Sequence, residues 1–256
     1  MIESIFPAYF EWWHIPIIFL AGLIGEAYGS LIGGGSIVMQ SIQMFLGVPI
    51  QSAIATDNAA ALGTEAGILS ETHKKVKENK RLIFWMFLPI ALGGIIGTYF
   101  LLTISTVVIK YLMITAVLYL LFHSYFLKNK IKSKSLNKWK YVLLFAFLFL
   151  IGLYNNFIGI GEGTFSKIAL MLVLGLTFVE SHGLKTVAMV PIRIYSLIVT
   201  GIVGIIVWPY LITFWISNFI AGKYSTRFVK KVPDKYLKTS LTVISLVFVL
   251  YLLIFS

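Results

Sequence analysis

Gly33-Gly34-Gly35-Ser36, followed by Leu46-Gly47-Val48-Pro49 and Ala53-Ile54-Ala55-Thr56-Asp57-Asn58, is the stretch on which the fold turns. A glycine run lets the backbone leave helical geometry and approach a ligand or another helix closely. The apolar segment that follows it, from Ile37 to Leu46, is about half a membrane thickness long at 1.5 Å per residue. An acid, Asp57, then sits inside an apolar, helix-length run. The same outline returns about 128 residues later as Gly159-Ile160-Gly161-Glu162-Gly163-Thr164, a short apolar segment from Phe165 to Leu174, Gly175 and Lys185. The chain therefore reads as a duplication, each copy with a broken or short helix at its glycine motif.

The surroundings of these motifs settle the class. The 256 residues are 59% hydrophobic and 12% charged, with a mean hydropathy of +0.91. Soluble domains carry roughly 25% charged residues, so this composition belongs to a membrane protein. The apolar runs are continuous and helix-length, without the alternation of a barrel, which predicts an all-α polytopic membrane protein. Apolar helices are expected over 15–32, 51–70, 82–102, 106–127, 141–160, 181–203, 205–222 and 237–255, with the two short segments between them. Eight to ten membrane segments result, depending on whether the short ones cross or re-enter.

The net charge of +11 comes from three clusters: Lys74 to Arg81, Lys128 to Lys140, and Lys223 to Lys238. Together they hold seventeen of the 21 basic residues. Basic clusters between helices mark cytoplasmic loops rather than a nucleic-acid surface. Loops 71–81, 128–140 and 223–238 are therefore expected inside the cell membrane, and both termini outside. Five crossings per half follow, and an odd-numbered duplication must insert upside down, as inverted repeats. The expected organisation is a first repeat over 1–127, a basic loop over 128–140 and a second repeat over 141–256. Under that inversion the uncharged 200–209 should face out and the basic 231–234 should face in. Trp12, Trp13, Trp85, Trp139 and Trp208 fall at expected span ends, where interfacial aromatics collect. Met1 to His14 carries no basic residue, so no cleaved leader is expected.

These motifs resemble the TauE/SafE sulfite exporter family, also named for toluene-sulfonate uptake permeases. The resemblance covers nearly the whole chain. It rests on Gly33-Gly34-Gly35, Leu46-Gly47-Val48-Pro49, Ala53-x-Ala55-Thr56, the second run at Gly159-x-Gly161-Glu162-Gly163, Leu174-Gly175, and the close with Gly222, Arg227 and Pro233. It implies a carrier of sulfite, sulfonates, thiosulfate or related anions. The chain departs from the family pattern where a Thr-Ser pair is usual: it has Thr56-Asp57 and Leu184-Lys185. It also places Glu162 inside the second glycine run.

Charges within spans cost roughly 2.5–3.5 kcal/mol each on the insertion scale, so they need partners or water. Those here are Glu26, Asp57, Glu65, Glu162, Lys167, Glu180, Lys185 and Arg193; the first half holds acids and the second holds the bases. At the repeat offset Asp57 falls on Lys185 and Glu65 on Arg193, which predicts two ion pairs across the repeat interface. Two readings stand side by side. In one the pairs lock the halves together. In the other Lys185 and Arg193 receive the substrate anion, with Asp57, Glu65 and Glu162 as counter-ions or proton carriers. Arg193 suits an oxyanion because its fork donates two parallel hydrogen bonds.

Gly34, Gly35, Gly161 and Gly163 would open short helices whose free N–H groups face an anion, with Ser36 and Thr164 as N-caps. Close helix packing is the other use of such glycines. Thr56 and Asn58 complete the expected binding set. Gln40, Gln43, Asn155 and Asn156 either line the cavity or bond neighbouring helices. No zinc-protease helix, nucleophile elbow or phosphate loop occurs, so neither an enzyme nor a cofactor is expected. The expected function is a secondary transporter of small sulfur-containing anions, an exporter by preference, with protons as the candidate coupling ion. An uptake permease, an anion channel and a non-transporting membrane assembly protein are the alternatives.

Overall fold

The computed structural model describes residues 7–31, 34–78, 80–126, 138–163, 165–166, 170, 178–228 and 234–255. Among them nine helices and no strand occur: α1 His14–Leu31, α2 Gly35–Phe45, α3 Ile50–Glu78, α4 Lys80–Thr103, α5 Thr106–Phe126, α6 Lys138–Phe157, α7 Phe178–Val203, α8 Trp208–Phe228 and α9 Asp234–Phe255. The expected all-α class is what the chain adopts. Leu82–Thr103 and Gly183–Val203 are each long and apolar enough to span a bilayer on their own.

Large apolar side chains cover the outside, and charged groups are buried within. Phe84, Leu88 and Tyr99 on α4, Val107 and Tyr111 on α5, Leu143 and Leu150 on α6, and Val243 and Leu250 on α9 are exposed. Asp57, Glu65, Glu162, Lys185 and Arg193 are buried, as are Gln40, Asn58, Asn155 and Asn156. Exposed apolar side chains around an apolar core that also buries paired charges fit hydrocarbon outside, since water would penalise so much exposed apolar surface.

Helices pack as α1 on α8, α4 on α6, α3 on α8, α4 on α7, and α3 on α7, with α5 beside α9. Small residues set these approaches. A Cβ at Gly63 would sit 2.5 Å from the Trp215 carbonyl oxygen of α8, and one at Gly222 would sit 2.8 Å from the Thr64 carbonyl oxygen of α3. Gly93 and Gly97 of α4 lie directly on the α6 backbone at Phe149 and Leu153, and Gly152 of α6 on Ile90. In hydrocarbon, where burial of apolar surface gives no drive, such backbone contact is a main source of helix association.

Three boundaries differ from expectation. The stretch 71–78 continues α3 as helix rather than forming a loop, because Glu and Lys are good helix formers once the chain has left the apolar layer. For the same reason α8 runs on to Phe228 and α9 begins at Asp234, inside the expected loop 223–238. The short segment after the second glycine run is helical at Glu162, Gly163, Phe165, Ser166 and Leu170. Thr164, Lys167, Gly33 and most of the loop 128–140 lie outside the described residues.

Candidate functional site

Residues of both glycine motifs line one cavity. Gly159 and Gly161 take φ of +78° and +76°, a left-handed backbone that glycine alone adopts freely. These turns end α6 and carry the chain across the first half. A Cβ at Gly159 would lie 3.2 Å from Asn58 Oδ1 and 3.3 Å from Gln40 Nε2. Gln40 Nε2 spans the junction, donating to Asp57 Oδ2 at 2.9 Å and to the Ile158 carbonyl at 3.0 Å.

The cavity has a volume of about 70 Å³. Its wall comes from α1 (Glu26, Gly29), α2 (Gly35, Ser36, Met39), α3 (Asp57, Asn58, Ala61, Thr64, Glu65), Asn155 of α6, the turn Gly159 to Gly163, and α7 (Lys185, Thr186, Arg193). One water centre needs roughly 10–15 Å³ of such space, so the cavity holds a handful of waters or one small oxyanion.

Its electrostatics rest on two cations from α7 and four carboxylates. Arg193 Nε donates to Glu65 Oε1 at 2.5 Å, bridging α7 and α3 at a sequence separation of 128. Its Nη1 donates to the Asn58 carbonyl at 3.1 Å and its Nη2 to Asn155 Oδ1 at 3.4 Å. Glu162 Oε2 stands 3.8 Å from the same Nη2 and 2.7 Å from Lys185 Nζ. The guanidinium is thus held on three sides, and Glu162 links both cations.

The expected pair Glu65–Arg193 is therefore present, but the expected pair Asp57–Lys185 is not. Lys185 pairs with Glu162 instead, because the second glycine turn brings that carboxylate up from the same half. Asp57 is occupied by neutral donors, the side chains of Gln40 and Ser36. Ser36 does not cap α2: Gly34 holds that position without a side-chain hydrogen bond, and Ser36 lies in the first turn, facing Asp57. Thr56 turns away from the cavity and accepts from the Val207 N–H at 3.1 Å, tying α3 to the start of α8. Gly34 is buried but does not line the cavity, while Gly35, Ser36, Asp57, Asn58, Glu65, Gly161, Glu162, Gly163, Lys185 and Arg193 do. Gln43 and Asn156 serve as helix bonds, to the Met39 and Ala53 carbonyls and to the Gly152 carbonyl.

Glu26 and Thr64 were not in the expected site. Thr64 Oγ1 donates to Glu26 Oε2 at 2.8 Å, adding a fourth carboxylate from α1. The signal was a lone acid between Gly25 and Gly29, the spacing of a helix face pressed on a neighbour; indeed a Cβ at Gly25 would meet the Gly35 carbonyl at 3.0 Å.

A family model described as Sulfite exporter TauE/SafE matches residues 18–252. The chain belongs to the TauE/SafE sulfite exporter family. The Escherichia coli K12 protein named Probable membrane transporter protein YfcA is 22% identical over 240 residues, covering 90% of this chain and 86% of its own length. A Haemophilus influenzae protein named Probable membrane transporter protein is 25% identical over 167 residues, which is 63% of this chain and 64% of that protein's length. This TauE/SafE chain is thus a helical membrane protein of a transporter family, and its cavity is lined by both of its glycine motifs.

Proposed function

We propose that this chain is a secondary transporter that moves small sulfur-containing anions (sulfite, sulfonates or thiosulfate) by alternating access between two inverted halves. The observation that carries the reading is that Arg193 and Lys185 are both buried in the wall of one cavity sized for a small oxyanion. Buried cations within a membrane protein are expensive and mark an ion path by default. Export down the anion's own outward gradient is the favoured direction, and protons are the natural coupling ion for a cavity rich in carboxylates.

The repeat reading is supported by the packing. With 128 as offset, α1 on α8 is the counterpart of α6 on α4, and α3 on α8 that of α7 on α4; α3–α7 and α5–α9 map onto themselves. Gly35 and Gly163, Asp57 and Lys185, Asn58 and Thr186, and Glu65 and Arg193 are four such residue pairs, and all eight line one cavity. The halves 1–127 and 141–256, ten crossings, cytoplasmic basic segments and external termini complete the proposal. Flux of sulfite, methanesulfonate and thiosulfate into liposomes bearing the purified protein, with and without a pH gradient, is the test. Saturable flux of at least one is expected; transport of none refutes the reading.

A further inference from the structure

We propose that the substrate anion enters by displacing Glu162 from Lys185 and Arg193, and that the displaced carboxylate takes up one proton. This rests on the transport reading above and names the coupling residue within it.

Glu162 already occupies the place an anion would take. Its Oε2 lies 2.7 Å from Lys185 Nζ and 3.8 Å from Arg193 Nη2, and its Oε1 is buried without a hydrogen bond among the described residues. It is a tethered anion on a short arm, with Gly161 at φ +76° before it and Gly163 after it. Glu65 also has an unbonded oxygen among the described residues, but Glu162 is the carboxylate there that bridges both cations. Glu65 takes the Nε hydrogen bond of Arg193 at 2.5 Å, Asp57 is bound by Gln40 and Ser36, and Glu26 by Thr64. Glu162 thus holds the cationic donors that an incoming anion needs.

Charge balance then requires the proton. An anion that takes both cations leaves Glu162 buried without either, in a medium of low dielectric. A carboxylate stripped of its cations and left buried costs several kcal/mol, and protonation removes that cost. The groups facing Glu162 are Lys185 and Arg193 from α7, Glu65 from α3, Tyr154 from α6 and Ser166 on its own segment. The Tyr154 hydroxyl donates to the Ile160 carbonyl at 2.5 Å, and the others are cations, a further acid or a hydroxyl donor. Glu65 keeps its hydrogen bond from Arg193 Nε, so the freed Glu162 is the carboxylate left without a cation. In the step, the Lys185 and Arg193 contacts to Glu162 break, equivalent contacts to the anion form, and an O–H bond forms on Glu162 with a proton from the open side. One negative and one positive charge enter together, so a monoanion moves without net charge.

Methanesulfonate and thiosulfate test this cleanly, since neither titrates near neutral pH and any proton taken up belongs to the protein. In lightly buffered detergent solution with a pH dye, uptake of one proton per anion bound is expected. The apparent affinity should weaken about tenfold per pH unit once Glu162 must be protonated from the charged state. In liposomes, an inward proton gradient should drive accumulation by the wild type. Glu162→Gln should abolish that accumulation, and its methanesulfonate flux should become sensitive to membrane potential; Glu162→Asp should retain coupling. Anion binding without proton uptake overturns the displacement step, as does a Glu162→Gln protein that still accumulates methanesulfonate under a proton gradient. Should Glu162→Gln not fold, the proton count on the wild type decides alone. Binding of neither anion overturns the displacement step, and if sulfite flux is absent as well the transport reading falls with it.

Discussion

Replacing Arg193 with Met, Glu65 with Met, and both together separates the energetics of the bridge between α3 and α7 from its chemistry. Arg193 donates to Glu65 at 2.5 Å, to the Asn58 carbonyl at 3.1 Å and to Asn155 at 3.4 Å, all in the buried interior. Removing the guanidinium leaves Glu65 as a buried carboxylate without its cation, which costs about 3–5 kcal/mol. The Asn58 carbonyl also loses a donor, adding about 1–3 kcal/mol if no water replaces it. Removing Glu65 alone leaves Arg193 with Glu162 at 3.8 Å as its remaining acid, so the smaller loss is expected there. The double variant has no orphaned charge at this bridge. It should be more stable than Arg193→Met by about 2–4 kcal/mol, near the upper end of measured couplings. SDS-driven unfolding in mixed micelles, followed by tryptophan fluorescence, reads all four proteins. If the two single losses simply add in the double variant, within about 0.5 kcal/mol, the bridge is not the energetic unit described.

Lys185→Met should fold and lose anion flux by at least an order of magnitude, while the charge swap of Asp57 with Lys185 should not restore it, because Lys185 pairs with Glu162; ligand-binding titration beside size-exclusion profiles checks both. Asp57→Asn preserves an acceptor for Gln40 and should cost stability only about 0.5–1.5 kcal/mol, seen as a small shift in the SDS midpoint. Gly93→Leu forces α4 off the α6 backbone and should destabilise by at least about 1–3 kcal/mol, with Gly204→Leu, at a position with open space but φ +82°, affected through backbone strain alone. The chain has no cysteine, so single cysteines at 75, 130 and 231 give clean labels. In intact cells a membrane-impermeant maleimide should miss all three and reach one at position 2 or 256.

The class of the protein was legible because it depends on bulk quantities. Sustained apolar runs, rare charges and basic clusters between them constrain a chain to helices in hydrocarbon whatever its details. The bridge between Glu65 and Arg193 was legible too, through the 128-residue repetition of the motif. Glu26 was visible only as one more acid in a span, since nothing local indicated Thr64 as its partner. The extension of α3 through 71–78 was hidden by reading charge as loop, although Glu and Lys continue a helix readily in water.

The glycine motifs divide the two kinds of knowledge. Sequence alone located the two glycine runs as helix breaks and the charges inside the neighbouring spans, because glycine content and hydropathy act locally. Tertiary structure decided who meets whom. The positive φ at Gly159 and Gly161 swings Glu162 onto Lys185, Gln40 and Ser36 take Asp57, and Gly34 rather than Ser36 caps α2. An ion pair is chosen by which carboxylate arrives within about 3–4 Å with its hydrogen bonds satisfied, and that depends on the path of the backbone through the whole bundle.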